Sequence, residues 1–185
     1  MEMQVFQEEI IDEKYSESSK QYLDINVLEA TKGRLWFVLD NFKNICISFS
    51  GGKDSTILLH LVREYLKHKP ELKTKKNLFI YHLDYEAQYN QTTKFVQQTL
   101  QECKKEGFKI FYICMPFKAQ CACSMYQTYW RPWAIEDKDK WLREPPGYSI
   151  TEENHSFDFW SRDLSDCAFN VELLLKLILI IASIE

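Results

Sequence analysis

The sequence predicts an α/β domain in which parallel strands are flanked by helices. Short apolar runs and longer amphipathic runs alternate in the order strand, helix, strand, helix, strand. Strands joined through helices pair in parallel with right-handed crossovers. The 185 residues, 45% apolar and 15% aromatic, are enough for one packed core.

Each element follows from its residues. Asn26–Phe42 reads as an amphipathic helix with Val27, Ala30, Leu35, Val38 and Leu39 on its apolar side. The run Asn44-Ile-Cys-Ile-Ser-Phe49 is a buried strand, and Thr56–Leu66 is a helix with Leu58, Leu61, Val62 and Tyr65 on one stripe. Lys67–Lys76 is a polar connection broken by Pro70. No aromatic residue interleaves its charges, so a solvated loop explains it better than a nucleic-acid contact. Leu78–Leu83 is a second strand, running into Asp84-Tyr-Glu-Ala-Gln-Tyr89. Thr92–Glu106 is a second crossover helix (Phe95, Val96, Thr99, Leu100, Cys103) closed by Gly107. Lys109–Met115 is a third strand, ended by Pro116.

The chemistry concentrates in Ser50-Gly-Gly-Lys-Asp-Ser55, where the first strand turns into a helix. Such a junction offers unpaired amides and the positive end of a helix dipole to an anion. Gly51 and Gly52 let the backbone approach a phosphate and adopt positive φ. Ser50 and Ser55 supply hydroxyl donors, and Lys53 a mobile point charge. Asp54 either holds a magnesium ion between two phosphates or caps the helix. The spacing excludes a Walker A loop and the dinucleotide pattern G-x-G-x-x-G. In parallel sheets ligands bind at the carboxyl ends of the strands, where Ser50–Ser55, Asp84–Gln88 and the chain from Pro116 onward all fall.

The run resembles the PP-loop, Ser-Gly-Gly-x-Asp-Ser, of ATP pyrophosphatases and adenylyl-sulfate enzymes. Ser48-Phe-Ser-Gly-Gly-Lys-Asp-Ser55, Asp84-x-Glu-Ala-Gln88, Trp130-Arg-Pro-Trp133 and Trp141-Leu-Arg-Glu-Pro-Pro146 together narrow the likeness. They resemble the phosphoadenosine phosphosulfate (PAPS) reductase-like family, in the subgroup of immunoglobulin-binding regulator A, related to the sulfate adenylyltransferase small subunit. The likeness runs from about Tyr22 to Trp160. It implies a Rossmann-like, adenine nucleotide alpha hydrolase-like fold. It also implies ATP or an adenylyl sulfate (PAPS or its unphosphorylated form) as ligand, with Mg2+. The implied binding set is Ser48, Ser50, Gly51, Gly52, Lys53, Asp54, Ser55, Asp84 and Arg143, with Lys53 and Asp54 catalytic and Asp54 on the metal.

That family leaves the α-phosphate open to attack, so adenylyl transfer with pyrophosphate release is the leading expectation. A thiol-dependent, sulfite-forming reductase is a second; Cys167 in Ser-Asp-Cys-Ala does not match the cysteine segment those enzymes use. A nucleotide-binding regulator without turnover, acting beside a ParB-like protein, is a third. The tract Ala119–Pro146 is either a lid, with Arg131 or Arg143 meeting phosphate or sulfate, or an irregular satellite core.

Residues 1–21 read as a polar, loosely held arm, 22–160 as the PP-loop domain and 161–185 as a divergent apolar tail. The apolar run from Val171 is shorter than a membrane span and carries Lys176, so it reads as an apolar helix. It also raises the expectation of a C-terminally truncated or frame-shifted product, with dimerisation through this helix as the alternative. The N-terminus shows no secretory pattern, giving a cytoplasmic expectation with no membrane partner. A net charge of −4 argues against general polyanion binding. Of the six cysteines, Cys46 and Cys114 read as buried strand residues. Cys121 and Cys123 read as loop thiols rather than a redox or metal pair. The four histidines show no ligand spacing.

Overall fold

Asn26 starts the first helix by accepting the Glu29 amide on its side chain at 3.0 Å, an N-cap that satisfies one orphan donor. That helix is α1, Val27–Asn41. In the computed structural model, residues 24–121 and 125–182 are described, with side chains to residue 176. The 1–21 arm and Cys123 lie outside them.

Strand β1 (Asn44–Ser48) enters the phosphate-type loop, and α2 (Lys53–His68) leaves it. The polar connection contains one short turn of helix, α3 (Leu72–Lys75), before β2 (Asn77–Leu83). Helix α4 (Asn90–Lys105) ends at Gly107, whose φ of 100° is left-handed as a C-terminal glycine requires, and β3 (Lys109–Cys114) follows. A small antiparallel hairpin, β4 (Ala119–Gln120) with β5 (Tyr129–Trp130), precedes a 3-10 segment, Ile135–Lys140. The short β6 (Ile150–Thr151) and α5 (Asp166–Ala182) complete the chain.

The main sheet is four-stranded in the order β1-β2-β3-β6, parallel throughout. The α/β class with flanking helices is therefore the one the sequence predicts. Because β1, β2 and β3 run sequentially across the sheet, right-handed crossovers put α2 and α4 on the same face. There Leu59, Val62 and Leu66 of α2 and Val96 and Leu100 of α4 pack on Ile45, Ile47 and Ile80, joined by Leu39 of α1. On the other face Phe169 and Leu173 of α5 cover Tyr81, Ile113, Met115 and Phe117.

Two element readings need correction. In α1 the buried residue is Leu39, while Val27 is 84% exposed: apolar residues lie all around this helix, so periodicity alone could not choose its inner side. In α2 the fully buried leucine of the second turn is Leu59, with Leu58 half-buried. The tail is not separate from the core either. Lys118 and Ser165 form a parallel bridge, and the Asp166 amide donates to the Lys118 carbonyl at 3.2 Å, seating α5 against the sheet. Among the described residues no helix is long and apolar enough to cross a membrane.

Candidate functional site

The loop between β1 and α2 departs from the sheet at Phe49, whose amide still donates to the Tyr81 carbonyl at 2.9 Å. Gly51 then takes φ +79°, and a Cβ there would stand 2.4 Å from Val96 Cγ2 of α4. Conformation and space both demand glycine. Gly52 is the N-cap of α2 and no side chain caps that helix. Its carbonyl accepts the Ser55 and Thr56 hydroxyls at 3.0 and 2.7 Å. Ser50 Oγ lies 3.0 Å from Ser55 Oγ and accepts the Gly52 amide at 3.3 Å. An exposed, uncapped helix start with two convergent hydroxyls is the geometry an oxyanion takes.

Lys53 and Asp54 are exposed in the first turn of α2. Magnesium commonly takes one or two carboxylates plus phosphate oxygens, and a single solvent-facing Asp54 beside an anion site fits that donor set. Among the described residues no group of three or more His, Cys, Asp or Glu side chains could hold a metal by itself. Ser48 ends β1 on the other face of the sheet, beside Tyr81, away from the loop hydroxyls.

Asp84 is fully buried at the end of β2. Its Oδ1 accepts Arg143 Nη2 at 2.5 Å and the Glu86 amide at 2.8 Å, and its Oδ2 accepts the Tyr112 hydroxyl at 2.5 Å. Burial alone would depress the Arg143 guanidinium, but the Asp84 carboxylate outweighs it and holds Arg143 above its ordinary value. Burial, with the charge of Asp84, likewise pushes the Tyr112 phenol up.

Glu86 does equivalent work two positions further on. It adopts φ 62°, a left-handed conformation uncommon outside glycine. In return its carboxylate accepts the Trp133 amide at 2.8 Å and the Leu142 amide at 3.2 Å. Trp133 Nε1 donates to the Asp84 carbonyl at 2.6 Å, and the Arg143 guanidinium lies 4.9 Å over the Trp133 ring. Asp84 and Glu86 thus pin the two ends of the Trp133–Arg143 tract onto the carboxyl end of β2. Arg131 is drawn elsewhere, to the Arg162 carbonyl and Asp163 at 3.3 and 3.5 Å.

Beside the tract is an open depression of about 490 Å³ lined by Ala87, Gln88, Tyr89, Thr92 and Leu142. Thr92 is also a neighbour of Gly51, so the depression adjoins the loop. Buried polar atoms without a partner among the described residues are His82 Nε2, Gln88 Oε1, Thr93 Oγ1 and Arg143 Nη1. All four belong to residues at the carboxyl end of β2, the start of α4 or the pinned tract.

Residues 44–128, from β1 through β5's approach, match the family model described as the phosphoadenosine phosphosulfate reductase domain. Those residues are similar to that domain. The matched residues include Ser48–Ser55 and Asp84, while Arg143 lies beyond them. The chain is also 35% identical over 131 residues to the uncharacterized protein YbdN of Escherichia coli (strain K12). That similarity covers 70% of this chain and 30% of YbdN, so the chain spans under a third of that relative's length. No solved structure matches the chain.

The structure brings Ser50, Gly51, Gly52, Lys53, Asp54 and Ser55 together where β1 turns into α2. It joins Asp84 to Arg143 nearby and leaves Ser48 and Arg131 outside. Sequence reasoning missed His82 and Tyr112. The available signal was a histidine inside an otherwise apolar strand, two residues before Asp84 and therefore on its face.

Proposed function

We propose that this protein binds ATP or an adenylyl sulfate with the phosphates on the Ser50–Ser55 loop. The observation that carries this reading is the exposed, uncapped start of α2 behind a glycine with φ +79°. The depression of about 490 Å³ beside the loop is of a size suited to the nucleoside end.

The reaction this arrangement favours is adenylyl transfer. An acceptor oxygen forms a bond to the α-phosphorus, and the bridging bond to the β-phosphate breaks. The electron pair leaves with pyrophosphate. Lys53 and the first-turn amides of α2 stabilise charge as it accumulates on that leaving group. Asp54 would hold the magnesium ion, which when bound supplies neutralising charge on the phosphates. The three cysteines placed in the core are poor candidates for the nucleophile of sulfite-forming chemistry. Burial pushes the Cys46 and Cys103 thiols up to about 11 and raises Cys114 further, away from the thiolate a nucleophile needs. Membership of the regulator A subgroup and a ParB-like partner are proposals that rest on the sequence resemblance alone.

Calorimetry with ATP on the wild type and on Lys53→Ala tests the binding reading. Because Lys53 is exposed, the variant keeps its melting temperature while losing about tenfold or more in affinity. An unchanged dissociation constant removes the assignment. Release of pyrophosphate from ATP tests the chemistry separately.

A further inference from the structure

We infer that His82 is a positioning residue for the Ser50–Ser55 loop, fixing the point where that loop leaves the sheet; the inference rests on the nucleotide reading of the loop. His82 sits on β2 and is 1% exposed. Its Nδ1 lies 2.7 Å from the Phe49 carbonyl oxygen. A carbonyl only accepts, so Nδ1 carries the hydrogen, and burial disfavours the charged ring, which leaves Nε2 as the bare nitrogen.

Phe49 is the last residue before Ser50. Its amide is held by the Tyr81 carbonyl, the final rung between β1 and β2. Its carbonyl faces a side chain instead of a further rung. The ladder therefore ends with both polar groups of Phe49 held, its amide by the Tyr81 carbonyl and its carbonyl by the His82 imidazole. Two residues later Gly51 meets Val96, the loop's other fixed point. Between those two anchors lies Ser50, whose hydroxyl organises Gly52 and Ser55.

The imidazole is itself held in place. Its ring centre is 5.0 Å from that of Tyr112, whose hydroxyl donates to Asp84, which in turn accepts from Arg143. A continuous set of contacts thus runs from the pinned tract through Arg143, Asp84, Tyr112 and His82 to the loop. Backbone amides bind an oxyanion well only when their directions are set beforehand. His82 sets the first of these directions without touching the ligand.

The test uses His82→Leu, which keeps apolar bulk but has no donor, and His82→Asn, whose amide nitrogen can occupy the place of Nδ1. Calorimetry with ATP and with adenylyl sulfate is run on both variants and on the wild type, with near-ultraviolet circular dichroism to establish folding. His82→Leu is expected to lose about tenfold or more in affinity and His82→Asn to stay within about threefold. Equal affinity in His82→Leu and wild type, or equal losses in the two variants, overturns the positioning role. Should His82→Leu not fold, nitrogen-15 NMR of wild-type histidine decides. An Nδ1-protonated His82 whose signals shift on ATP saturation supports the inference, and signals unmoved by bound ATP overturn it. A wild type that binds neither nucleotide takes down the loop reading and this inference with it, an outcome distinct from binding that ignores His82.

Discussion

Gly51 combines a left-handed φ with a Cβ site occupied by Val96, so two separate penalties fall on any side chain placed there. Gly51→Ala is expected to cost about 1–3 kcal/mol in urea denaturation, and Val96→Ala in the same chain should recover only the steric part. If the single variant proves as stable as wild type, the loop takes another conformation. The need for glycine was legible in the Gly-Gly pair at a strand-to-helix junction. That Val96 fills the space was not, because the contact spans 45 positions and no local pattern carries it. Asp84 shows the same division. An acidic residue at a strand end can be read from the sequence, but its engagement by Tyr112 and Arg143 depends on two segments that only the fold assembles. Those bonds make Asp84 the support for Arg143, whatever further contact a ligand makes.

Helices α2 and α4, adjacent on one face of the sheet, are tied by Arg63. Its guanidinium donates to Glu106 at 2.5 and 3.0 Å and to Glu102 at 3.1 Å, with the Arg63 side chain 19% exposed. The Glu106 hydrogen bonds dominate in raising the arginine, and the same contacts hold the Glu106 carboxyl below its ordinary value. Arg63→Ala should cost about 1–3 kcal/mol, and Arg63→Lys should restore only part because an ammonium lacks the planar fork that reaches Glu106 and Glu102 together. Chemical denaturation reads both, and a fully stable Arg63→Ala would show the pair to be a surface contact of little weight. Strand and helix identities were legible wherever an apolar period persisted for several turns. The two-residue strands β4, β5 and β6 carry no period and became visible only through their pairing partners. Within Ala119–Pro146, Asp84 and Glu86 hold Trp133, Leu142 and Arg143, and Trp133 and Trp141 are in edge contact at 5.6 Å.

Across the whole molecule, the two faces of the sheet were unequally legible. The α2 and α4 face follows from crossover handedness once the strands are known. The α5 face did not, because an apolar terminal run suits a core helix, an exposed helix or an association surface equally well. Phe169 and Leu173, both at 0% exposure, seat the first turns of α5 in the second core layer, while Val171, Leu174 and Leu175 on the same helix stay exposed. The sheet order has one further consequence. Strand β1 stands at the end of the order, bonded along one flank only among the described residues. Since the Phe49 amide points to Tyr81, alternation turns the Ile45 and Ile47 amides towards β2 and those of Cys46 and Ser48 away from it. In deuterated buffer the outward pair should label within the earliest time points, while their inward neighbours keep their protons until the sheet opens as a unit. Equal protection of all four would mean that another strand lies alongside, and residue-resolved exchange by NMR is the direct way to see it.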